Sequence, residues 1–425
     1  MVPPERSEET VVLLASPPRA VRELQNFTVL TVVTLSTILG LAAPAGASAK
    51  TPPTAVPTGT SSAVTARSST PPPGAVVIGV DDNAKKIVAE SPAGSSFILA
   101  SGTHELFSVI PLPGDAFYGQ PGTVLDGEHT ELTAFKVPHD GTADDVQIIG
   151  AGPSSPLVVE NYGKSSHSQV GAIQSNSQTP TPLYSNGWWL QWVEVTGSSS
   201  RGISVSDDMV IFQCQVVSNA RLGIGGGGNG ITIDQSTVSG NGLTVNRLGW
   251  EAGGIKTVAS NVLIERNVID GNGAPGIWTD GGATNVVATQ NTLQSNRYGI
   301  RFEISHDVTA TRNIISNSQQ QSVLVIASSD VTVRANILKD NFGGIIVGGV
   351  GTVDKTGIHL DDVTVSHNTV IDSGATGLHQ TPPAGSVIHF DYDRFVGGHL
   401  QWDGHGITLP ALQALGQERH GGWSK

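Results

Sequence analysis

Charge is scarce in this chain, at 14% of residues. Yet Lys256, Trp278, Asp280, Arg301 and Glu303 recur at intervals of 22 to 24 residues, inside the similar segments GGIKTV, GIWTD and GIRFEI. Two carboxyls brought about 5 Å apart suit a glycosidase, one giving a proton to the leaving oxygen. Crowding two like charges favours one shared proton, which makes a donor. A lysine and an arginine on the same face suit a different reaction, abstraction of the proton α to a sugar carboxylate. In that chemistry one cation neutralises the carboxylate and a base takes the proton. Trp278 supplies a flat ring for a sugar to stack on. Just upstream, Arg247, Trp250 and Glu251 add a guanidinium, a ring and a carboxylate.

These residues act together only if the repeat stacks them. Asn267, Asn291, Asn313, Asn336 and Asn368 form a ladder with steps of 24, 22, 23 and 32 residues. Six residues before each stands an Asn or Asp followed by Val, as in NVLIERN, NVVATQN, DVTATRN, DVTVRAN and DVTVSHN. Self-similarity at this period is the mark of a solenoid. The intervening Val, Ile and Thr alternation, broken by Gly and Asn, reads as short strands and tight turns. The fold expected is an all-β helix of about 22–24 residues per rung. The ladder asparagines are read as turn residues that take left-handed backbone angles and bond the next rung.

Stacked rungs lie about 4.8 Å apart and strand residues alternate in and out. Ile255, Ile277, Ile300 and Val323 then form an inward column. Lys256, Trp278, Arg301 and Leu324 form the next outward one, with Val258, Asp280, Glu303 and Ile326 beyond. The expected result is an exposed patch over three rungs, beside the bare glycines of RLGIGGGGNG (221–230). Two intervals overrun a rung by about nine residues, GLTVNRLGWEAGG (242–254) and GGVGTVDKTGIHL (348–360). Such overhangs commonly border a solenoid's binding face. The same charges also have a plainer reading, as cross-rung ion pairs of small energetic value.

The 425 residues include 52 Gly, with mean hydropathy near zero, which suits strands and turns. Net charge of −13 speaks against a nucleic-acid partner, which needs clustered Lys and Arg. Cys214 is the sole cysteine, so no intrachain disulfide forms, and its strand-like setting predicts a buried, inert thiol. No phosphate loop, nucleophile elbow or zinc signature occurs.

The apolar run Phe27–Ala43, behind Arg19 and Arg22 and ahead of Ala47-Ser48-Ala49, reads as an export signal over residues 1–49. Residues 50–74, rich in Pro, Thr and Ser, are expected to be an extended spacer. The solenoid domain follows over 75–425. Residues 81–94 are its expected helical N-terminal cap, with Asp81 or Asp82 at the N-cap. Regular rungs run over 202–373, and 375–425 form a C-terminal cap of a strand pair and a helix from Leu409. Trp188, Trp189 and Trp192 offer a second stacking platform, although strand alternation places at least one in the core. The mature chain is expected to be a monomer, free of the membrane, secreted to the extracellular space or cell wall.

The repeat resembles the right-handed parallel β-helix (pectate-lyase-like) family of secreted bacterial proteins, best over 202–373. WEAGGIK, GIWTD and GIRFEIS carry the resemblance. It implies a polysaccharide partner, since that family includes uronate lyases, polygalacturonases and epimerases. Glu251 and Lys256, five apart, are similar in spacing to the calcium-liganding Glu and base Lys of its alginate and chondroitin lyases. That group has an Arg on the next rung, where this chain has Trp278. The epimerase signature Asp-Pro-His-Asp is absent, its closest text being Val137-Pro138-His139-Asp140. Calcium at Glu251 is the one cofactor left open. Three readings stand: a glycoside hydrolase, with Asp280 and Glu303 as its carboxyls; a lyase using Lys256 and Arg301; and a noncatalytic carbohydrate-binding or structural surface protein.

Overall fold

The computed structural model describes residues 64–164, 169–177, 179–244, 251–348, 359–380, 382 and 385–424. The expected signal (1–49), most of the spacer, Arg247, Trp250 and most of the second overhang lie outside the described residues.

Three parallel sheets run the length of the solenoid, of 13, 13 and 12 strands. The first begins at Val76–Ile78, the second at Gly102–Glu105 and the third at Phe135–Lys136, and from Ala116–Gly119 onward the rungs give one strand to each sheet in turn. Parallel strands hydrogen-bond only to the rungs above and below, so every rung depends on its neighbours. One core fills the interior, with Ile255, Ile277, Ile300 and Val323 stacked at no more than 1% exposure, as the alternation requires.

The asparagine ladder lies inside the solenoid, with each member at most 1% exposed. Both the backbone N–H and Nδ2 of Asn267 donate to Oδ1 of Asn291, each at 3.0 Å. The same pair of bonds joins Asn291 to Asn313, Asn313 to Asn336 and Asn336 to Asn368. Each Nδ2 also donates to a carbonyl, as Asn313 does to Ala288. The left-handed residue is not the ladder asparagine but the one before it: Arg266, Gln290, Arg312, Ala335 and His367, with φ between 55° and 58°. The corner therefore turns one residue early and aims the asparagine inward.

A second ladder, unforeseen from the sequence, stands five residues after the first. It joins Asn219, Asn241, Asn272 and Asn296 by the same double bonds, and resumes from Ser318 through Asn341 to Ser373. Together the two ladders satisfy the buried polar backbone at both ends of the second sheet's strands.

The helix Ala84–Glu90 buries Ala84 and Val88 in the core as an end cap should, but its N-cap is Asn83, whose Oδ1 accepts from Lys86 N at 3.0 Å. At the other end, the antiparallel pair His399–Trp402 and His405–Ile407 precedes the helix Leu409–Ala414, and a last strand, Gly422–Ser424, returns to the second sheet. Val64 and Arg67, expected within the spacer, instead lie on the outer face of the first sheet. Arg67 exchanges two bonds with Gln191 and its guanidinium stands 4.2 Å from the Trp189 ring centroid. Trp188 is in the core, Trp189 lies under this strap, and Trp192 bonds Gln213, so the three do not form an open platform. Cys214 is buried as expected, and burial pushes its thiol up to about 12.

Candidate functional site

On the third sheet the outward columns form as the spacing predicts. Gly225 pairs with Lys256, Lys256 with Trp278, Trp278 with Arg301 and Arg301 with Leu324. The patch is not open, however. Lys256 is 6% exposed and Trp278 7%, while the Asp280, Arg301 and Glu303 side chains are half-buried. Long side chains one rung apart lie against each other and cover what the backbone pattern leaves outside.

They separate into two groups. Nζ of Lys256 stands 2.8 Å from Oδ2 of Asp280. Arg301 instead pairs with Glu303 at 2.8 Å, and Glu303 accepts the indole N–H of Trp278 at 3.0 Å. Asp280 and Glu303, expected to share a proton, are thus drawn to different cations. Trp278, expected to stack on a sugar, lies between two cations, with Lys256 Nζ 3.7 Å and Arg301 Cζ 4.9 Å from its ring centroid.

A cavity of about 500 Å³ opens beside Lys256. Its walls include Arg201, Glu251, Lys256 and Asp280, with Gln174, Asn176 and Tyr184 from rungs and loops nearer the N-terminus. Gly226 and Gly227 line it as the bare backbone of RLGIGGGGNG. Trp278, Arg301 and Glu303 are not among the lining residues.

Arg201 is the residue that sequence reasoning missed. It starts the strand Arg201–Ser204 two rungs before Lys256, and its side chain runs along the sheet exterior. Nη1 donates to Ser204 Oγ and to the Gly225 carbonyl, while Nη2 meets Glu251 Oε2 at 2.7 Å. Nε is buried and makes no hydrogen bond. A Cβ at Gly225 would lie 2.9 Å from Leu222 and 3.0 Å from the Lys256 carbonyl, so the rung beneath the guanidinium is packed to the size of glycine. Glu251, the residue at which calcium was left open, pairs with this buried guanidinium. Among the described residues, no group of three or more His, Cys, Asp or Glu could hold a metal ion.

Tyr184 was also missed, since it enters from a loop outside the repeat. Its Oη sits where a Cβ on Gly227 would be, 2.5 Å away. Burial, aided by Asp207 and opposed by Arg201, pushes its phenol up and keeps it protonated. The wall therefore offers two cations, two carboxylates and a neutral O–H donor, an assortment that can hold a polar ligand and move protons.

Residues 183–338 and 260–388 match the family model for the right handed beta helix region. Among solved structures the chain is similar to the A-module of the mannuronan C-5 epimerase AlgE4 of Azotobacter vinelandii. Identity there is 14% and the TM-score 0.54, over 80% of this chain and 94% of that one. It is also similar to XylC, solved in complex with xylose, at 13% identity and TM-score 0.50, over 64% of this chain and about half (53%) of XylC. Comparison with curated proteins by sequence finds no match. Identities this low show a shared fold, and function must be argued from the site. The fold is that of a right-handed parallel β-helix.

Proposed function

We propose that this protein is a polysaccharide lyase that binds an acidic sugar unit in the Arg201–Glu251–Lys256–Asp280 cavity. One observation carries the reading: both buried ion pairs line the same cavity as the protonated Tyr184. The Arg201 guanidinium, which lines the cavity, is the cation for a uronate carboxylate, and neutralising that group acidifies the adjacent C–H. Asp280, holding Lys256 by one oxygen, accepts the proton as part of a Lys256–Asp280 pair. The electron pair left behind forms the C=C bond as the glycosidic C–O bond breaks. Tyr184 gives its proton to the leaving oxygen. Glu251 keeps Arg201 in place.

The likeness to AlgE4, by name an enzyme of mannuronan, supports a polymer substrate, and the apolar run Phe27–Ala43 supports export to meet it. A hydrolase is the second reading, because Glu251 and Asp280 put two carboxylates in the one cavity.

The test is incubation with uronate and neutral polysaccharides, with and without calcium, following unsaturated-uronate absorbance and reducing ends together. Unsaturated product, lost in Arg201→Ala and Lys256→Ala, is expected. Reducing ends without unsaturation, lost in Glu251→Gln or Asp280→Asn, would establish the hydrolase. Glycan binding without either product would leave a noncatalytic binding protein.

A further inference from the structure

Arg301, Trp278 and Glu303 lie outside the cavity walls, yet they are tied tightly to a residue within them. The indole N–H bonds Glu303 Oε2 at 3.0 Å, which sets the plane of the ring. Arg301 holds the other oxygen of Glu303 at 2.8 Å and also flanks the ring. On its other side in the column stands Lys256, with Nζ 3.7 Å from the ring centroid and 2.8 Å from Asp280. An aromatic face is electronegative and attracts a cation, most strongly where water is excluded. Lysine has a long flexible stem and a compact charge, so its position depends on what surrounds it.

We infer that Glu303 and Trp278 are positioning residues that hold the Lys256 ammonium at the cavity wall. Glu303 orients the ring through the indole N–H, and the ring face places Nζ against Asp280. Trp278 therefore acts on the reaction through Lys256 and without touching the sugar. This rests on the lyase reading for its effect on turnover, while the placement of Lys256 can be measured without any substrate.

The experiment labels the folded chain with acetic anhydride and maps Lys256 by mass spectrometry, in the wild type, Trp278→Phe, Trp278→Leu, Glu303→Ala and the Trp278→Phe/Glu303→Ala double variant. Trp278→Leu removes the ring face, and labelling of Lys256 is expected to rise about tenfold, with kcat reduced and KM little changed. Trp278→Phe restores a ring face and should return both towards the wild type. Glu303→Ala should raise labelling in the wild-type background but not in the Trp278→Phe background, where no indole N–H exists to lose. Circular dichroism checks each fold, and if Trp278→Leu does not fold, the comparison of Glu303→Ala in the two backgrounds decides alone. Equal labelling of Lys256 in all folded variants would overturn the relay whatever the activity. Altered labelling in a chain without turnover would uphold the relay and remove the lyase.

Discussion

Nη2 of Arg201 meets Oε2 of Glu251 at 2.7 Å across 50 residues of sequence, passing over the intervening rung at Gly225. Both side chains are about 8% exposed, so neither charge is solvated well by water. Arg201→Ala leaves the Glu251 charge buried alone and should cost about 3–5 kcal/mol. The double variant Arg201→Met/Glu251→Leu removes both charges and should recover most of that loss. Denaturant midpoints measure the difference. On the lyase reading the double variant stays inactive, which separates the structural role of the pair from its chemical one.

The Asn313 side chain makes four ladder bonds: Nδ2 donates to Ala288 O and Asn336 Oδ1, and Oδ1 accepts from the N–H and Nδ2 of Asn291. Asn313→Ala leaves several of those groups buried and unpaired, at about 1–3 kcal/mol each. Thr311→Ala, on the outer face of the same rung, should stay within about 0.5 kcal/mol of the wild type. Hydrogen exchange should show faster opening of the rungs on both sides of residue 313, since each rung bonds only to its neighbours.

The fold was legible because the ladder repeats at a fixed phase against Val and Ile, and strand alternation places each column. That reasoning put Glu251, Lys256 and Asp280 on the face where the cavity lies. It could not show depth: Lys256 and Trp278 point away from the core, yet each is covered by the next long side chain in its column. Arg201 and Tyr184 left no periodic signal, one opening a strand after Ser198-Ser199-Ser200 and the other standing in a loop. The second ladder repeats asparagine at Asn219, Asn241, Asn272, Asn296 and Asn341, but Ser318 and Ser373 interrupt the letters while continuing the hydrogen bonds.

On the lyase reading, Gly227 should prove as sensitive as a catalytic side chain. Its backbone is not left-handed, so alanine brings no torsional strain, but the new Cβ would stand 2.5 Å from Tyr184 Oη. Tyr184 must move away from the cavity, and a shift of about 1 Å in a reacting group costs on the order of a hundredfold in rate. Gly227→Ala should therefore lower kcat about that much, with a thermal midpoint close to the wild type. Gly271→Ala makes a useful contrast: no atom lies within 4 Å of its Cβ, but its φ of 62° strains the corner, so it should lower stability and spare kcat.

The C-terminal end of the first ladder is sensitive to pH. Asn368 passes its two bonds not to an asparagine but to Oδ1 of Asp393, whose own N–H donates to Oε2 of Glu418 at 3.2 Å. Oδ2 of Asp393 stands where the ladder elsewhere has an N–H₂ donor, and it and Oε1 of Glu418 are buried without partners. Burial pushes the Asp393 carboxyl up to about 6, and burial with the Asp393 charge pushes Glu418 up to about 9. Folding therefore raises both above their ordinary values near 4, and the folded chain holds protons that the unfolded chain releases. The stability this gives is complete below about pH 4 and is lost as pH rises through about 6 and then about 9. Glu418→Gln supplies a permanent donor and cannot ionise. Its thermal midpoint should fall less than that of the wild type between pH 6 and pH 9, with the two curves converging in acid. The hydrogen-exchange protection factor at Gly422–Ser424, the strand that Glu418 helps to seat, should fall as pH rises in the wild type and stay level in Glu418→Gln. Parallel curves for the two proteins would mean that the proton resides elsewhere.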